Sequence, residues 1–500
     1  MEHCDGENSA KRPILSDGGG SEDRLSALPD DVLIHILLKL LDVAVAARTS
    51  VLSSRWRRIW RLLPELNFPF PSDPQHVRLA LTAHEASALH RLSVYFIDAT
   101  AESVAAWLPM AARRLSGNLL LINTAPHNET EDEAAEGGAL ELPCFETATS
   151  IHLELGYLGL AVPPLGEFAG LTDLFLACIK LHGPCELGEA VSSLRCPSLQ
   201  RLTVCDAWGM VNFNIHSESL KKLKLRNLHQ LQQLTVMTPA LIHLCVSSCF
   251  SSSHNQPVAN ISAPQLVSLD WGDHYDPRFT QLGKMENLEC LSPYPFLVCG
   301  LAESAQELNS SCVRLLQRFE LIRSLSLTLA NVPQDIPNKQ YMMEDIKRLP
   351  DLTHLTLYIN PQGHSFGASV FHLLRMCTGV RNLVLKFYST PHHPEAQTPC
   401  PSGCVCDQPP NWKTKQLALD RLREVEIWHL RATQHEAALV KQLFEWGTVL
   451  EKMTVYFHCS VTKSTAKKFW RMLRNFSRPG GQGLYIPRLS HRPIALDVGL

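Results

Sequence analysis

An apolar triplet occupying the first, fourth and sixth places of a six-residue window recurs along most of this chain. It stands at Leu171-Leu174-Leu176, Leu199-Leu202-Val204, Leu220-Leu223-Leu225, Leu241-Leu244-Val246 and Leu266-Leu269-Trp271. It returns at Ile322-Leu325-Leu327, Leu352-Leu355-Leu357, Val380-Leu383-Leu385, Leu422-Val425-Ile427 and Leu450-Met453-Val455. Most steps between copies run from 21 to 30 residues. A unit that short holds a strand and a return connection, and it cannot bury its own apolar face. Copies must therefore stack into a common core. The last two positions of a triplet lie two apart and leave a strand on the same side, while the first closes the core from the preceding turn.

This period and pattern are those of leucine-rich repeats. The copies are degenerate, and the Asn or Cys that would cap the turn after the strand is clear only at Cys249 and Asn360. Irregular units follow, with variable helices or loops on the convex side. The periodicity lapses between Trp271 and Ile322, where Ser310 to Phe319 reads as a helix with Val313, Leu315, Leu316 and Phe319 apolar.

Ahead of the repeats stands a segment too apolar for its size. After Leu28-Pro29, a helix is polar only at Asp31, His35, Lys39 and Asp42, and Val32, Leu33, Ile34, Ile36, Leu37, Leu38, Leu40 and Leu41 cover the rest of it. A helix apolar nearly all round must be buried nearly all round. Residues 23–67 are close to the size at which a chain struggles to build a core alone, so the surplus apolar surface predicts a partner. The order L-P-D-D-x-L, a leucine-rich helix, and R-T-S-V-L-S-S-R-W-R-R-I-W resembles the F-box of plant F-box proteins. The resemblance places a second helix from Asp42 through Ala44 to Ser50 and a third capped by Ser53 or Ser54. It implies docking onto a Skp-type adaptor, and through it a cullin, by Leu28, Pro29, Leu33, Ile36, Leu37, Val51, Leu52, Trp56 and Trp60. Arg55, Arg57, Arg58 and Arg61 beside the tryptophans also fit a basic nucleic-acid or membrane helix. A solvated face is the simpler reading of the arginines, and Trp with Arg is the pairing enriched at binding hot spots.

From Leu419 to Val455 the chain reads strand, helix over His435 to Phe444, and the block Leu450-Glu451-Lys452-Met453-Thr454-Val455. This is similar to the FBD module that follows leucine-rich repeats in many plant F-box proteins. A further helix, Ser464 to Asn475, carries Phe469, Met472 and Leu473 inward. The expected organisation is a disordered tail (1–22), the F-box (23–67), the repeat array (68–418, with an insertion at about 389–415), an FBD-like module (419–478) and a tail (479–500). The fold class is α/β: a small three-helix F-box followed by a curved leucine-rich-repeat solenoid.

Net charge of −3 argues against a general polyanion binder. There is no basic-then-apolar leader and no run of eighteen apolar residues, so neither secretion nor a membrane span is expected. Cytosol or nucleus follows. Sixteen cysteines are then reduced thiols used mainly as small hydrophobes, and the sequon at Asn128-Glu129-Thr130 is silent.

Two segments compete with a purely binding role. The Pro- and His-rich insertion carries Cys400, Cys404 and Cys406 with His392 and His393 nearby, which together offer four zinc ligands. The spacing matches no common finger, so a flexible loop and no metal are expected. Gly363-His364-Ser365-Phe366-Gly367 fits G-x-S-x-G between a strand (Leu352 to Ile359) and a helix (Ala368 to Met376), resembling a serine-hydrolase elbow. Asn360-Pro361-Gln362 lengthens what should be an abrupt turn, and no glycine-rich oxyanion loop lies upstream. Ser365 is therefore read as a helix N-cap or turn residue. By resemblance the chain recruits substrates to a ubiquitin ligase without catalysing anything and without a cofactor, the target being held by strand positions such as Lys221, Lys222 and Lys224. The alternatives are a repeat scaffold whose F-box does not bind, and a hydrolase using Ser365.

Overall fold

In a computed structural model, residues 28–124, 138–183, 186–250, 257–332, 339–388, 404–407, 412–476 and 484–485 are described. The expected N-terminal tail, the expected C-terminal tail apart from residues 484–485, the sequon, Cys400, His392 and His393 lie outside them. The N-terminal unit contains α1 (Asp30–Leu38), α2 (Val43–Arg48) and α3 (Ser54–Ile59). Asp42 caps α2 by accepting from the Ala44 N–H, and extended Ser53 precedes α3. Pro29 sits at the N-cap of α1, and the helix ends at Leu38, short of Asp42.

The rest is dominated by one large sheet of almost wholly parallel strands. A single ladder of partners runs through it: Leu66, Leu92, Leu119, Ile151, Leu174, Leu202, Leu223, Leu244, Leu269, Leu291, Leu325, Leu355, Leu383, Val425 and Met453. All are buried. The middle residue of every expected triplet is in this ladder, because a one-residue slip would turn each apolar side chain out to water. The ladder also holds further copies. Leu63-Leu66-Phe68, Leu89-Leu92-Val94, Ala148-Ile151-Leu153 and Leu288-Leu291-Pro293 fit the same template, the last inside the lapse in periodicity. That lapse also holds helix Ala302–Arg318, longer than expected, and strand Phe296–Gly300.

The strand Glu65–Phe68 crosses the expected F-box boundary and forms the first rung of the ladder. Only the strand Leu89–Ile97 pairs with it among the described residues, so its other edge needs cover. Contact with α2, and a hydrogen bond from the Asn67 side chain to the Leu41 carbonyl, supply some of it. The C-terminal strands Glu424–Leu430 and Lys452–Phe457 likewise extend the ladder rather than forming a sheet of their own. Helix Gln434–Trp446 between them opens with a full capping box, Thr433 with Glu436.

The return connections depart from the expected helices or loops. Between residues 212 and 282 the return segments form a second parallel sheet, strands Asn212–His216, Gln233–Met237, Val258–Ser262 and Thr280–Leu282, with Phe213, Leu234 and Ala259 in register. Alternating Phe213/Ile215, Leu234/Val236 and Ala259/Ile261 supply the period-two burial that a strand needs. Turn-capping polar groups are also more numerous than the sequence pattern suggests. Buried Asn123 accepts from the Ala99 N–H and donates to the Ala99 and Leu155 carbonyls, and Asn331 donates to the Asn360 carbonyl. Cys249 donates to the Leu225 carbonyl. Burial pushes the thiols of Cys312 and Cys377 up to about 12, so they stay protonated in the core. No described helix is long and apolar enough to cross a membrane.

Candidate functional site: an apolar helical face and a strand surface

The N-terminal unit separates its apolar residues into two sets. Leu33, Leu37, Val43, Ala46, Trp56 and Ile59 are buried in a core continuous with that of the strand ladder, with Ile34, Leu38, Leu28 and Trp60 half-buried against it. Val32, Ile36, Leu40, Leu41, Val45, Val51 and Leu52 remain exposed, Val51 at 86% and Leu52 at 62%. Three of the residues expected to meet an adaptor, Leu33, Leu37 and Trp56, are thus spent on internal packing. The reason is size: three short helices cohere only if one face of each is buried. Leu28 and Trp60 are half available, and Pro29, Ile36, Val51 and Leu52 face outward. Val32, Leu40, Leu41 and Val45 join that outward set, beyond the contacts the resemblance implies. The helix's excess of apolar residues is the sequence signal for them.

Arg55 does not belong to a purely solvated face. Its guanidinium donates to Asp30 at 2.8 Å and to the Leu28 carbonyl, pinning the Leu28-Pro29 entry onto α3. Half-exposed ion pairs contribute little stability, so what this contact supplies is position.

The family model for the F-box domain matches residues 25–67. An F-box/FBD/LRR-repeat protein of Arabidopsis thaliana is 27% identical over 54% of this chain and 55% of its own length. From the same plant, an FBD-associated F-box protein is 28% identical over 51% of this chain and 60% of its own, and a further F-box/FBD/LRR-repeat protein is 28% identical over 48% and 55%. Residues 25–67 match the F-box domain, and the chain as a whole is similar to plant F-box proteins of the FBD and leucine-rich-repeat type. It spans between half and two thirds of the length of these relatives.

On the main sheet, outward-pointing strand residues form rows of their own. Lys221 and Lys222 are exposed and Lys224 half-buried; Lys224 is in register with Thr203 and Cys245. Cys245 lies 3.5 Å from Asp270, whose carboxyl is raised by burial and drawn back by Arg226 and Lys224. The lysine cluster is therefore partly balanced by an acid two strands away. A second row, outside the sequence expectations, lies farther along the sheet. Tyr358, Lys386 and Trp428 are successive partners, with the Lys386 ammonium 5.0 Å from the Tyr358 ring centre and Trp428 stacked on Tyr456 at 3.7 Å. All four are half-buried. Each follows the third position of its triplet, an offset the sequence displays.

The G-x-S-x-G segment does not assemble a nucleophile elbow. The left-handed residues of its turn are Gln362 and Gly363, not Ser365. Ser365 is 2% exposed and precedes the N-cap, Phe366, so of the two expected roles, N-cap or turn residue, it does not fill the first. His364 directs its ring to the Val332 carbonyl (3.2 Å) and the Cys404 sulfur (3.5 Å). Burial, with Lys339 adding to it, lowers its pKa to about 4, so it is neutral at pH 7.

The insertion expected to be a flexible loop is packed in part. Val405–Asp407 forms a short helical turn, Cys406 is fully buried, and Trp412 is 1% exposed beside Trp446. Trp412 lies so close to Gly367 that a Cβ there would sit 2.1 Å from its ring. Gly367→Ala should therefore cost roughly 1–3 kcal/mol through overpacking, read as a lowered denaturant midpoint. An unchanged midpoint would mean that Trp412 does not pack on this helix.

Proposed function

We propose that this chain is the substrate-recognition subunit of a Skp-cullin-F-box ubiquitin ligase acting in cytosol or nucleus. The F-box docks a Skp-type adaptor, and the parallel strands, stacked as a curved leucine-rich-repeat solenoid, hold the target protein. The carrying observation is the set of exposed apolar side chains Val32, Ile36, Leu40, Leu41, Val45, Val51 and Leu52, on helices whose inner faces are already buried. So many exposed apolar side chains on so short a segment point to an interface. The chain itself transfers nothing; it raises the effective concentration of a target beside the transfer machinery. Tagged full-length chain should co-purify a Skp-type adaptor and a cullin in stoichiometric amounts. Chain recovered intact without either partner would overturn the reading.

For the target, Tyr358, Lys386, Trp428 and Tyr456 are better anchors than Lys221, Lys222 and Lys224. Aromatic side chains bury much area at small entropic cost and dominate hot spots, whereas exposed lysines chiefly affect encounter rate. Trp428→Ala with Tyr456→Ala should weaken target capture roughly thirtyfold, the consequence of losing about 2 kcal/mol. Charge reversal at the three lysines should change capture less and in a salt-dependent way. The opposite ranking, measured by quantitative affinity purification, would move the recognition surface to the lysines.

A further inference from the structure

Cys404 and Cys406 come back to the body of the protein beside a histidine forty residues earlier in the chain. His364, Cys404 and Cys406 each offer one ligand atom, and the three atoms lie within 4.8 Å of one another. The His364 Nδ1 and Cys404 Sγ are 3.5 Å apart. With Zn–S near 2.3 Å and Zn–N near 2.0 Å, neighbouring donors of a tetrahedral zinc site stand roughly 3.5–3.8 Å apart. The widest separation here needs to close by only about an ångström to meet that geometry.

The surroundings prepare each donor. The His364 Nε2 lies 3.2 Å from the Val332 carbonyl. A carbonyl only accepts, so the proton belongs on Nε2 and the Nδ1 lone pair is left facing Cys404. A backbone carbonyl fixing the second ring nitrogen is the usual support of a metal-bound histidine. The Ser365 N–H donates to the Cys406 sulfur at 3.4 Å, which favours negative charge there. His364 and Cys406 are buried and Cys404 is half-buried, leaving approach from the Cys404 side.

We propose that His364, Cys404 and Cys406 bind one Zn2+ ion, with the fourth position taken by solvent or an added ligand. Two thiolates and an imidazole make a borderline-soft set that suits zinc over magnesium or calcium. As the two Zn–S bonds form, each thiol gives its proton to solvent, so binding releases two protons per metal ion. The ion ties the Cys404–Asp407 turn, and with it Trp412, to the helix Gly367–Leu374. That explains how a Pro- and His-rich insertion reaches fixed, buried contacts across forty residues of chain. It also gives His364 a role that the G-x-S-x-G reading could not.

Full-length chain, desalted after expression in zinc-supplemented medium, should carry one zinc per chain by elemental mass spectrometry. Cys404→Ser, a near-isosteric change at a half-buried site, should remove it, and Cys459→Ser, at an exposed cysteine elsewhere, should not. Exchange with Co2+ should give thiolate-to-cobalt charge-transfer absorption in the wild type and none in Cys404→Ser. A strong chelator should lower the wild-type melting temperature and leave that of Cys404→Ser unmoved. Should the Cys404 variant fail to fold, the wild-type metal content and cobalt spectrum decide alone. Folded wild type without zinc or a cobalt–thiolate band, copper in place of zinc, or zinc retained in folded Cys404→Ser would each overturn the site.

Discussion

Aspartate at both Val51 and Leu52 should abolish capture of a Skp-type adaptor while leaving the full chain as stable as before. Both side chains are largely exposed, and neither belongs to the buried core. Surface changes of this kind usually alter stability by no more than about 0.5 kcal/mol. On an adaptor the same pair would bury two apolar anchors, each contributing roughly 1.5–3 kcal/mol. Replacing them with carboxylates also adds the cost of burying unpaired charge. A combined loss beyond about 4 kcal/mol weakens binding by roughly a thousandfold. Titration calorimetry with purified adaptor reads the affinity, and a thermal melt reads the fold. Leu33→Ala is the contrasting case: it should cost roughly 2–5 kcal/mol of stability and reduce adaptor binding only as far as it unfolds the unit. Unchanged affinity in the double aspartate variant would place the adaptor elsewhere.

Leu355→Ala should be among the most damaging single truncations in the repeat region. Leu355 pairs with Leu325 on one side and Leu383 on the other, and is 1% exposed. Emptying that position opens a cavity between rigid backbones that cannot collapse to fill it, at a cost of roughly 2–5 kcal/mol. Its neighbour Thr356 points to the other side of the strand, and Thr356→Ala should stay within about 0.5 kcal/mol. Because each repeat is stabilised mainly by its neighbours, the damage should split or broaden the unfolding transition as well as lower its midpoint. Denaturant titration followed by tryptophan fluorescence tests both. Equal costs for Leu355→Ala and Thr356→Ala would mean that the leucine ladder is not the core.

Much of the ladder is legible in the chain because strand burial is a local property. Whether Leu223 or Lys224 faces inward is decided by period two within a few residues, so the triplets mark its rungs without reference to any distant residue. Other rungs are harder to see because they lack a leucine in every place, as at Ala148-Ile151-Leu153. The outward aromatics stand in plain view, one residue past each triplet, but no local rule says that Tyr358, Lys386, Trp428 and Tyr456 lie on adjoining strands. That depends on how many residues each return connection consumes, including the insertion that separates Leu383 from Val425.

The one-strand-per-repeat ladder, the three-helix unit with Asp42 and Ser53 at the starts of its later helices, and the apolar surplus of that unit are all properties of the linear chain. They follow from periodicity, capping chemistry and a surplus of apolar area, all of which are counted along it. Which apolar residues of α1 turn inward is settled only when α3 packs against it, since burial is shared between helices. The meeting of His364 with Cys404 and Cys406 is likewise a product of tertiary packing. Contacts across forty residues are set by the stacking of whole repeats and by Trp412 seating on Gly367, and no short window of sequence contains them.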